Sequence, residues 1–435
     1  MLLCWLRVIA SGFCLISVVA FAQNEDAYSA HQRIARIRDL GKKNAQAIPA
    51  LAQNLGDPNR NIRIEAVKAI VKIGSEASLD PLIKATHDAD AEIQIRAVDG
   101  IVNFHVPGYV AKGSLTGPLT RGVREVRAFF SSRDNQVVDR NVTIRPDVAE
   151  ALGDVIRRGR SMDSRANAAR AAGILRARPA LPALLDALRS KNSEVIFECL
   201  VALQKIDDPS AGQGVSFLAH DLDDRVQATA LETIGVLHSS SSAPDVRSVL
   251  REARDMKIRR AALQCLAMLG LAEDRTVFQR YVDDRDADLR ASALDGLGRI
   301  REPEDTPALD QAYNEKNADT KAHLAAAFAL VSEGKLDTSD FSPLRYLVEN
   351  LDVRAQRDSA QAYLTELCRR GDVREALFPL LKEATKGQKL ALCQALSASR
   401  NDDVIPVLDV LSKDIDPDVS FAASKGLRTV QAPTP

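Results

Sequence analysis

Asp57-Pro58-Asn59-Arg60-Asn61-Ile62-Arg63-Ile64-Glu65-Ala66-Val67-Lys68-Ala69-Ile70-Val71-Lys72-Ile73-Gly74 is the stretch that decides the fold. Its apolar positions Ile62, Ala66, Ile70 and Ile73 are spaced to share one face of a helix. The acidic loop before them supplies a cap and favours the positive end of that helix. The phrase returns as Ile93, Ala97, Ile101 and Phe104, then as Val195, Cys199, Leu203 and Ile206. It continues as Val226, Ala230, Ile234 and Leu237, as Ile258, Ala262, Leu266 and Leu269, and as Leu289, Ala293, Leu297 and Ile300. Ile62 to Ile93, Val195 to Val226 and Ile258 to Leu289 are each 31 residues apart, and Val226 to Ile258 is 32. A constant interval of this size marks an array of repeats rather than two or three globular domains.

Each unit reads as two helices. The first opens near a proline followed by leucines, as in Ile48-Pro49-Ala50-Leu51, Asp80-Pro81-Leu82 and Leu181-Pro182-Ala183-Leu184, and prolines recur at 307, 343, 379 and 406. Proline suits the first helical turn, where its missing N–H costs nothing. A short acidic loop follows, such as Asp221-Leu222-Asp223-Asp224 or Asp416-Pro417-Asp418. A basic residue commonly stands after the first core position of the second helix: Arg63, Arg165, Arg259, Arg290, Lys321, Arg357 and Lys389. Its regular return predicts a structural ladder in which each meets the loop aspartate of an adjacent unit. Later units start at Thr320, Gln356, Gln388 and Val419, and the segment around Ile34, Ile37 and Leu40 is a degenerate first unit.

The succession of Asp loop, Ile/Leu-Arg, Ala and a hydrophobe-Gly pair resembles HEAT repeats of the short kind named after phycobilisome lyases. It is clearest in Asp57…Ile62-Arg63…Ala66…Ile73-Gly74 and in Asp286…Leu289-Arg290…Ala293…Leu297-Gly298. The resemblance implies an all-α, HEAT/armadillo-like α-solenoid, a right-handed superhelix of antiparallel helix pairs with one insertion. The boundaries expected are a leader over 1–22, repeats over 23–104, the insertion over 105–147, repeats over 148–430 and a tail over 431–435.

Residues 1–22 carry Arg7 as their only charge, then an apolar run from Val8 to Phe21 and Ala20-Phe21-Ala22 at a cleavage position. This reads as a secretory signal peptide, too short for a spanning helix. Phe13 precedes Cys14 where a lipid anchor would need a small residue. Export places the chain in a periplasm or outside the cell, an oxidising setting. Beyond the leader the cysteines are Cys199, Cys265, Cys368 and Cys393, each within a helix and suited to burial as a small hydrophobe. A Cys368–Cys393 bridge is the one pairing to test. The formal net charge of −1, with acidic and basic residues interspersed, leaves no basic field for nucleic acid. Aromatic residues make up only 4%, so the core is built from small aliphatics that let helices approach closely.

Ile93 and the next first core position, Ser164, are 71 residues apart, one period plus about 40. The insertion starts as loop through Pro107, Gly108, Gly113, Gly117 and Pro118. Leu119, Val123, Val126 and Phe130 then share a helical face with Arg121, Arg124 and Arg127 beside it, and Phe129 next to Phe130. A strand pair, 136–138 with 141–144, is expected after it. The favoured reading is a spur packed on the solenoid, with membrane-surface contact as the alternative. Asn141-Val142-Thr143 is a glycosylation triplet of consequence only in a eukaryotic secretory route.

The histidines, His31, His87, His105, His220, His238 and His323, are spread over different units, and none precedes a glutamate as in the iron-binding HEAT enzyme deoxyhypusine hydroxylase. Asp284-Arg285-Asp286-Ala287-Asp288 superficially suggests a calcium loop, but Leu289 stands where glycine is needed, so helix capping is the reading. No cofactor, metal or catalytic residue is assigned. The expected function is a non-catalytic, exported scaffold holding a protein or peptide on a surface lined by the second helices. That surface is sampled by Lys68, Asp99, Arg170, Val201, Glu232, Gln264 and Asp295. Candidate contacts are Lys68, Arg170, Glu232 and Asp295, together with Arg121, Arg124, Arg127, Phe129 and Phe130. The alternatives are a lyase- or oxidoreductase-type subunit, as the resemblance implies, and a membrane-surface adaptor using residues 119–130.

Overall fold

The computed structural model describes residues 29–110, 137–139, 142–315 and 319–431. They form helices joined by short 3₁₀ turns and loops, in two compact units that divide at Asp208 and Pro209. In the first unit, helix α1 (29–40) precedes four helix pairs. These are α2 (Ile48–Ala52) with α3 (Arg60–Ile73), α4 (Leu79–Ala85) with α5 (Ala91–His105), α6 (Pro146–Arg158) with α7 (Met162–Ile174), and α8 (Leu181–Ala187) with α9 (Ser193–Ile206). In the second unit a pair of 3₁₀ turns stands in for the first helix before α10 (Asp224–Val236). Then come α11 (Ala243–Glu252) with α12 (Met256–Leu269), α13 (Arg275–Gln279) with α14 (Ala287–Ile300), and α15 (Thr306–Asn314) with α16 (Thr320–Ser332). The last pairs are α17 (Pro343–Glu349) with α18 (Arg357–Leu367), α19 (Gly371–Leu380) with α20 (Lys386–Ala398), and α21 (Ile405–Leu411) with α22 (Pro417–Gln431). None of the described helices is long and apolar enough to cross a membrane.

The acidic loops do what their sequence predicts. In several, a first aspartate accepts from the backbone N–H two residues on, and a second caps the coming helix; in the first loop Asp57 plays the first part and Asn59 the second. Asp88 Oδ1 accepts from Asp90 N at 2.8 Å, and Asp90 Oδ1 then accepts from Glu92 N at 2.9 Å. Asp221 and Asp223 repeat the device at 2.9 and 3.0 Å, and Asp414 and Asp416 at 2.9 and 2.9 Å. Asp284 and Asp286 do the same, so that the calcium-like string is a capping loop. Four orphan N–H groups at each helix start make such caps worth about 1 kcal/mol apiece.

The expected ladder needs correction. Arg63 reaches Asp88 at 2.8 Å, Lys389 reaches Asp414 at 2.8 Å and Lys321 reaches Asp288 at 2.5 Å. Arg259, Arg290 and Arg357 instead donate to the carbonyl six residues back, on Ala253, Asp284 and Leu351, and Arg63 also donates to Asp57 O in this way. Arg165 donates to Ile156 O. At this register the guanidinium satisfies carbonyls left open where the first helix ends, within its own pair. Besides the Arg63, Lys321 and Lys389 pairs, inter-repeat pairing is made by other cations: Arg178 with Asp208 at 2.7 Å, Arg247 with Asp274 at 2.6 Å, Arg275 with Asp305 at 2.8 Å, and Arg260 with Asp286.

The core runs along the second helices. Ala166, Ala168, Ala169, Ala171 and Ala172 of α7 are buried, as are Ala325, Ala326, Ala327 and Ala329 of α16. Small residues let these helices approach their neighbours on both sides. Glycine plays two parts: Gly74, at φ +59°, closes α3 in a left-handed turn, whereas Gly173 lies inside α7 with no room for a Cβ against Ala202. Val404, Leu408, Val419 and Ala423 carry the same packing through the last pair.

The described part of the insertion holds no strand at 137–139 or 142–145, against expectation. Val138 is buried, and its N–H donates to Ile174 O at 2.9 Å, closing the end of α7 rather than a ladder. Arg145 pairs with Asp80 at 2.7 Å and Asp147 at 2.5 Å. Arg121, Arg124, Arg127, Phe129 and Phe130, the leader and Asn141 lie outside the described residues.

Candidate partner-binding face

The positions chosen to sample the second helices prove largely occupied by contacts within the fold. In the first unit Lys68 pairs with Glu65 at 3.0 Å, and Arg38 of α1 reaches the same carboxylate at 3.0 Å. Burial alone would raise the Glu65 pKa, but these two cations hold it below the ordinary value. Asp99 of α5 accepts from Asn167 Nδ2 of α7 at 3.0 Å. Arg170 of α7 donates to Glu198 of α9, which is 1% exposed; burial raises the Glu198 pKa against the pull of Arg170. In the second unit Glu232 and Gln264 are exposed on α10 and α12, while Asp295 of α14 is buried. Six residues past the first core position, a side chain faces the neighbouring second helix as much as solvent. That geometry, not a surface role, explains the mixed charges.

A second-unit network centres on Asp295. Ser292 Oγ donates to Gln264 Oε1 at 2.9 Å, and Gln264 Nε2 donates to Asp295 Oδ2 at 3.2 Å. Arg299, one turn on, donates from Nε to Asp295 Oδ1 at 3.1 Å and from Nη1 to Glu366 on α18. The Arg299 guanidinium lies 5.1 Å from the ring centroid of Phe328 on α16. Phe328 in turn stacks on Tyr363 of α18 with centroids 4.4 Å apart. Burial pushes the Asp295 carboxyl up, with Arg299 opposing. Of this group only Asp295 was picked out from the sequence as a candidate contact. The Asp295–Arg299 spacing of four was a legible signal; the Glu366 contact, between residues 67 apart, was not.

A separate aromatic group in a chain poor in aromatics joins α15, α16 and α17. His323 lies between Tyr313 and Tyr346, at centroid distances of 4.6 and 4.3 Å, and Tyr313 Oη donates to Phe341 O at 2.8 Å. Burial lowers the His323 pKa and pushes Tyr313 up to about 12.

Cys199, Cys265, Cys368 and Cys393 are all free and buried, so the Cys368–Cys393 pairing is not formed. Burial raises all four thiols, Cys368 to about 12 and Cys393 to about 11. Among the described residues, no three histidine, cysteine or acidic side chains are grouped to hold a metal ion.

A family model described as HEAT repeats matches residues 19–101, 149–235, 214–294 and 244–330, more than half of the chain. Solved structures similar to it include an engineered protein, 17% identical, with 88% of this chain and 99% of that one aligned at a TM-score of 0.42. Kap121p is 12% identical over 88% of this chain and 45% of its own, at a TM-score of 0.38. The complex of CpcE and CpcF of phycocyanin lyase from Nostoc sp. PCC7120 is 18% identical over 72% of this chain and 94% of that chain, at a TM-score of 0.31. No protein of curated function matches the chain in sequence.

Proposed function

Since the chain belongs to the HEAT-repeat family, we propose that it is an exported, non-catalytic scaffold that grips a protein or peptide along the second helices. The observation that carries the proposal is the division of labour on those helices. Arg170, Glu198 and Asp295 hold neighbouring repeats from part-buried or buried positions, while Glu232 and Gln264, at matching register, keep exposed surface, Gln264 also bonding Ser292 and Asp295 of the next repeat. A rigid, register-matched row of this kind suits many small contacts to one extended partner. Thiols raised by burial are poor nucleophiles, which agrees with a binding rather than a chemical role. Export rests on the leader, Arg7 followed by the apolar run to Phe21.

Photo-crosslinkers placed singly at Glu232, at Gln264 and at Asp245 on the first helix α11 test this in an envelope extract of the native host. The expected result is one saturable adduct from the first two positions and none from Asp245. Equal adducts from all three, or none from any, would overturn it. Fractionation of tagged chain tests export separately: recovery in the cytosol with the leader intact would contradict it.

A further inference from the structure

Helix α22 is the last second helix among the described residues, and its outer side departs from the polar face that a terminal repeat turns to water. In earlier pairs, the places two and nine residues after the first core position lie toward the next second helix. Gly173 and Gly298 hold the ninth place, and a Cβ at either would press on the backbone of the next second helix, at Ala202 and Ala329. Ile64, Ile95 and Ala322 hold the second place and are buried. The two places are seven residues apart and share one face. In α22 the second place is Phe421, 66% exposed, and the ninth is Arg428, also exposed. Arginine where earlier helices carry glycine keeps a further repeat from stacking at the same distance, yet a phenylalanine is left in water. The exposed stripe runs Asp418, Phe421, Lys425, Arg428, at spacings of three, four and three that keep it in line. It is negative at the start of the helix and positive toward the end. Asp418 bonds Lys386 at 2.6 Å and still keeps 67% of its side chain exposed.

We infer that this face joins two copies of the chain, α22 against α22, antiparallel about a two-fold axis. Such a contact presents one patch from both sides, so the patch must complement itself when inverted. This stripe does. With the axis between Phe421 and Ala422, Asp418 of each copy stands opposite Lys425 of the other. Phe421 is then covered at the centre by Phe421 and Ala422 of the other copy. Arg428 comes to the acidic entry of the other helix, where Asp414 and Asp416 stand. A parallel pairing would instead set Asp418 against Asp418 and Lys425 against Lys425. Antiparallel helix dipoles favour the same arrangement. One helix face from each copy is a small interface, so a dissociable dimer in the micromolar range is expected. The contact uses none of the residues of the Glu232–Gln264 row and stands or falls separately from the scaffold reading.

Sedimentation velocity of the purified full chain, from low to high micromolar concentration, tests it. Wild type should pass reversibly from monomer to dimer and go no further. Phe421→Asp, at an exposed position, should raise the dissociation constant about tenfold or more. Lys425→Glu and Asp418→Lys should each weaken self-association similarly, since each sets like charges opposite one another twice. Mixed together, these two variants should form a heterodimer. The introduced glutamate then faces the introduced lysine, and the remaining Asp418 faces the remaining Lys425. A wild type that stays monomeric, a dimer untouched by Phe421→Asp, or a mixture that stays monomeric would each overturn the contact. A growing series of larger species, the mark of head-to-tail joining, would overturn it as well. Should a charge variant lose its cooperative melt, Phe421→Asp decides, and wild-type association there refutes the idea.

Discussion

Gly173→Ala should destabilise the protein, although alanine is the better helix former. A Cβ built at Gly173 would lie 2.7 Å from Ala202 Cα and 3.0 Å from Ala202 Cβ, with the backbone of α9 in the way. Carbon atoms in good contact sit about 3.5–4.0 Å apart, so α7 and α9 would have to part by roughly 1 Å. Overpacking of this kind costs about 1–3 kcal/mol, while the gain in helix propensity is at most about 1 kcal/mol. The net expectation is a loss of about 1–2 kcal/mol. Gly153→Ala in α6 is the matched control, since its Cβ would meet only Ala183 Cβ at 3.5 Å, an ordinary contact. There the propensity gain stands alone, and a stabilisation of about 0.5–1 kcal/mol is expected. Urea midpoints from circular dichroism compare the two; hydrogen exchange across 162–206 localises the effect. If both variants stabilise, the second helices of the first unit are not in the close contact described.

Arg299→Ala should cost about 3 kcal/mol, because it leaves Asp295 buried without its cation, and Asp295→Asn added to it should recover much of the loss. No recovery in the urea midpoint would show that Arg299 acts by packing alone. Asp286 is held below the usual carboxylate range chiefly by its bond from Arg260. A depressed folded pKa gives stability that is present above the unfolded value and lost as pH falls through the folded one. Asp286→Asn, which keeps a capping side chain, should therefore lower the midpoint at pH 7, with the gap to wild type shrinking as the pH falls below the usual carboxylate range; a gap that widens on acidification contradicts this. With Cys368 pushed up to about 12 and Cys393 to about 11, iodoacetamide at pH 8 should leave the folded chain unlabelled and modify it once urea unfolds it. Fast labelling without urea would place a thiol at the surface.

The repeat was legible because its register is set by local physics. Ile62, Ala66, Ile70 and Ile73 share a face whatever they pack against, and Asp88 and Asp90 cap the helix that follows them in the chain. The free state of the cysteines also followed from their places in helices. The partners of Arg259, Arg290 and Arg357 were harder to read, since a long side chain can turn to its own loop or to the next, and hydrogen bonding to uncapped carbonyls decided the matter. Val138 fell in the expected strand pair, but the open carbonyl of Ile174 claimed its N–H. The Asp295 network was half visible: the turn from Asp295 to Arg299 is local, whereas Glu366 lies 67 residues further along the chain and is brought to Arg299 only by the packing of successive repeats.

Hydrogen exchange along the whole chain tests most directly the claim that each helix pair is held mainly by its neighbours, with the second helices as the core. The expected profile is periodic. Protection should peak in α3, α5, α7 and α9, and again in α10, α12, α14 and α16, and fall at every acidic loop between. A profile in which the first helices outlast the second, or in which one block alone is protected, would contradict it.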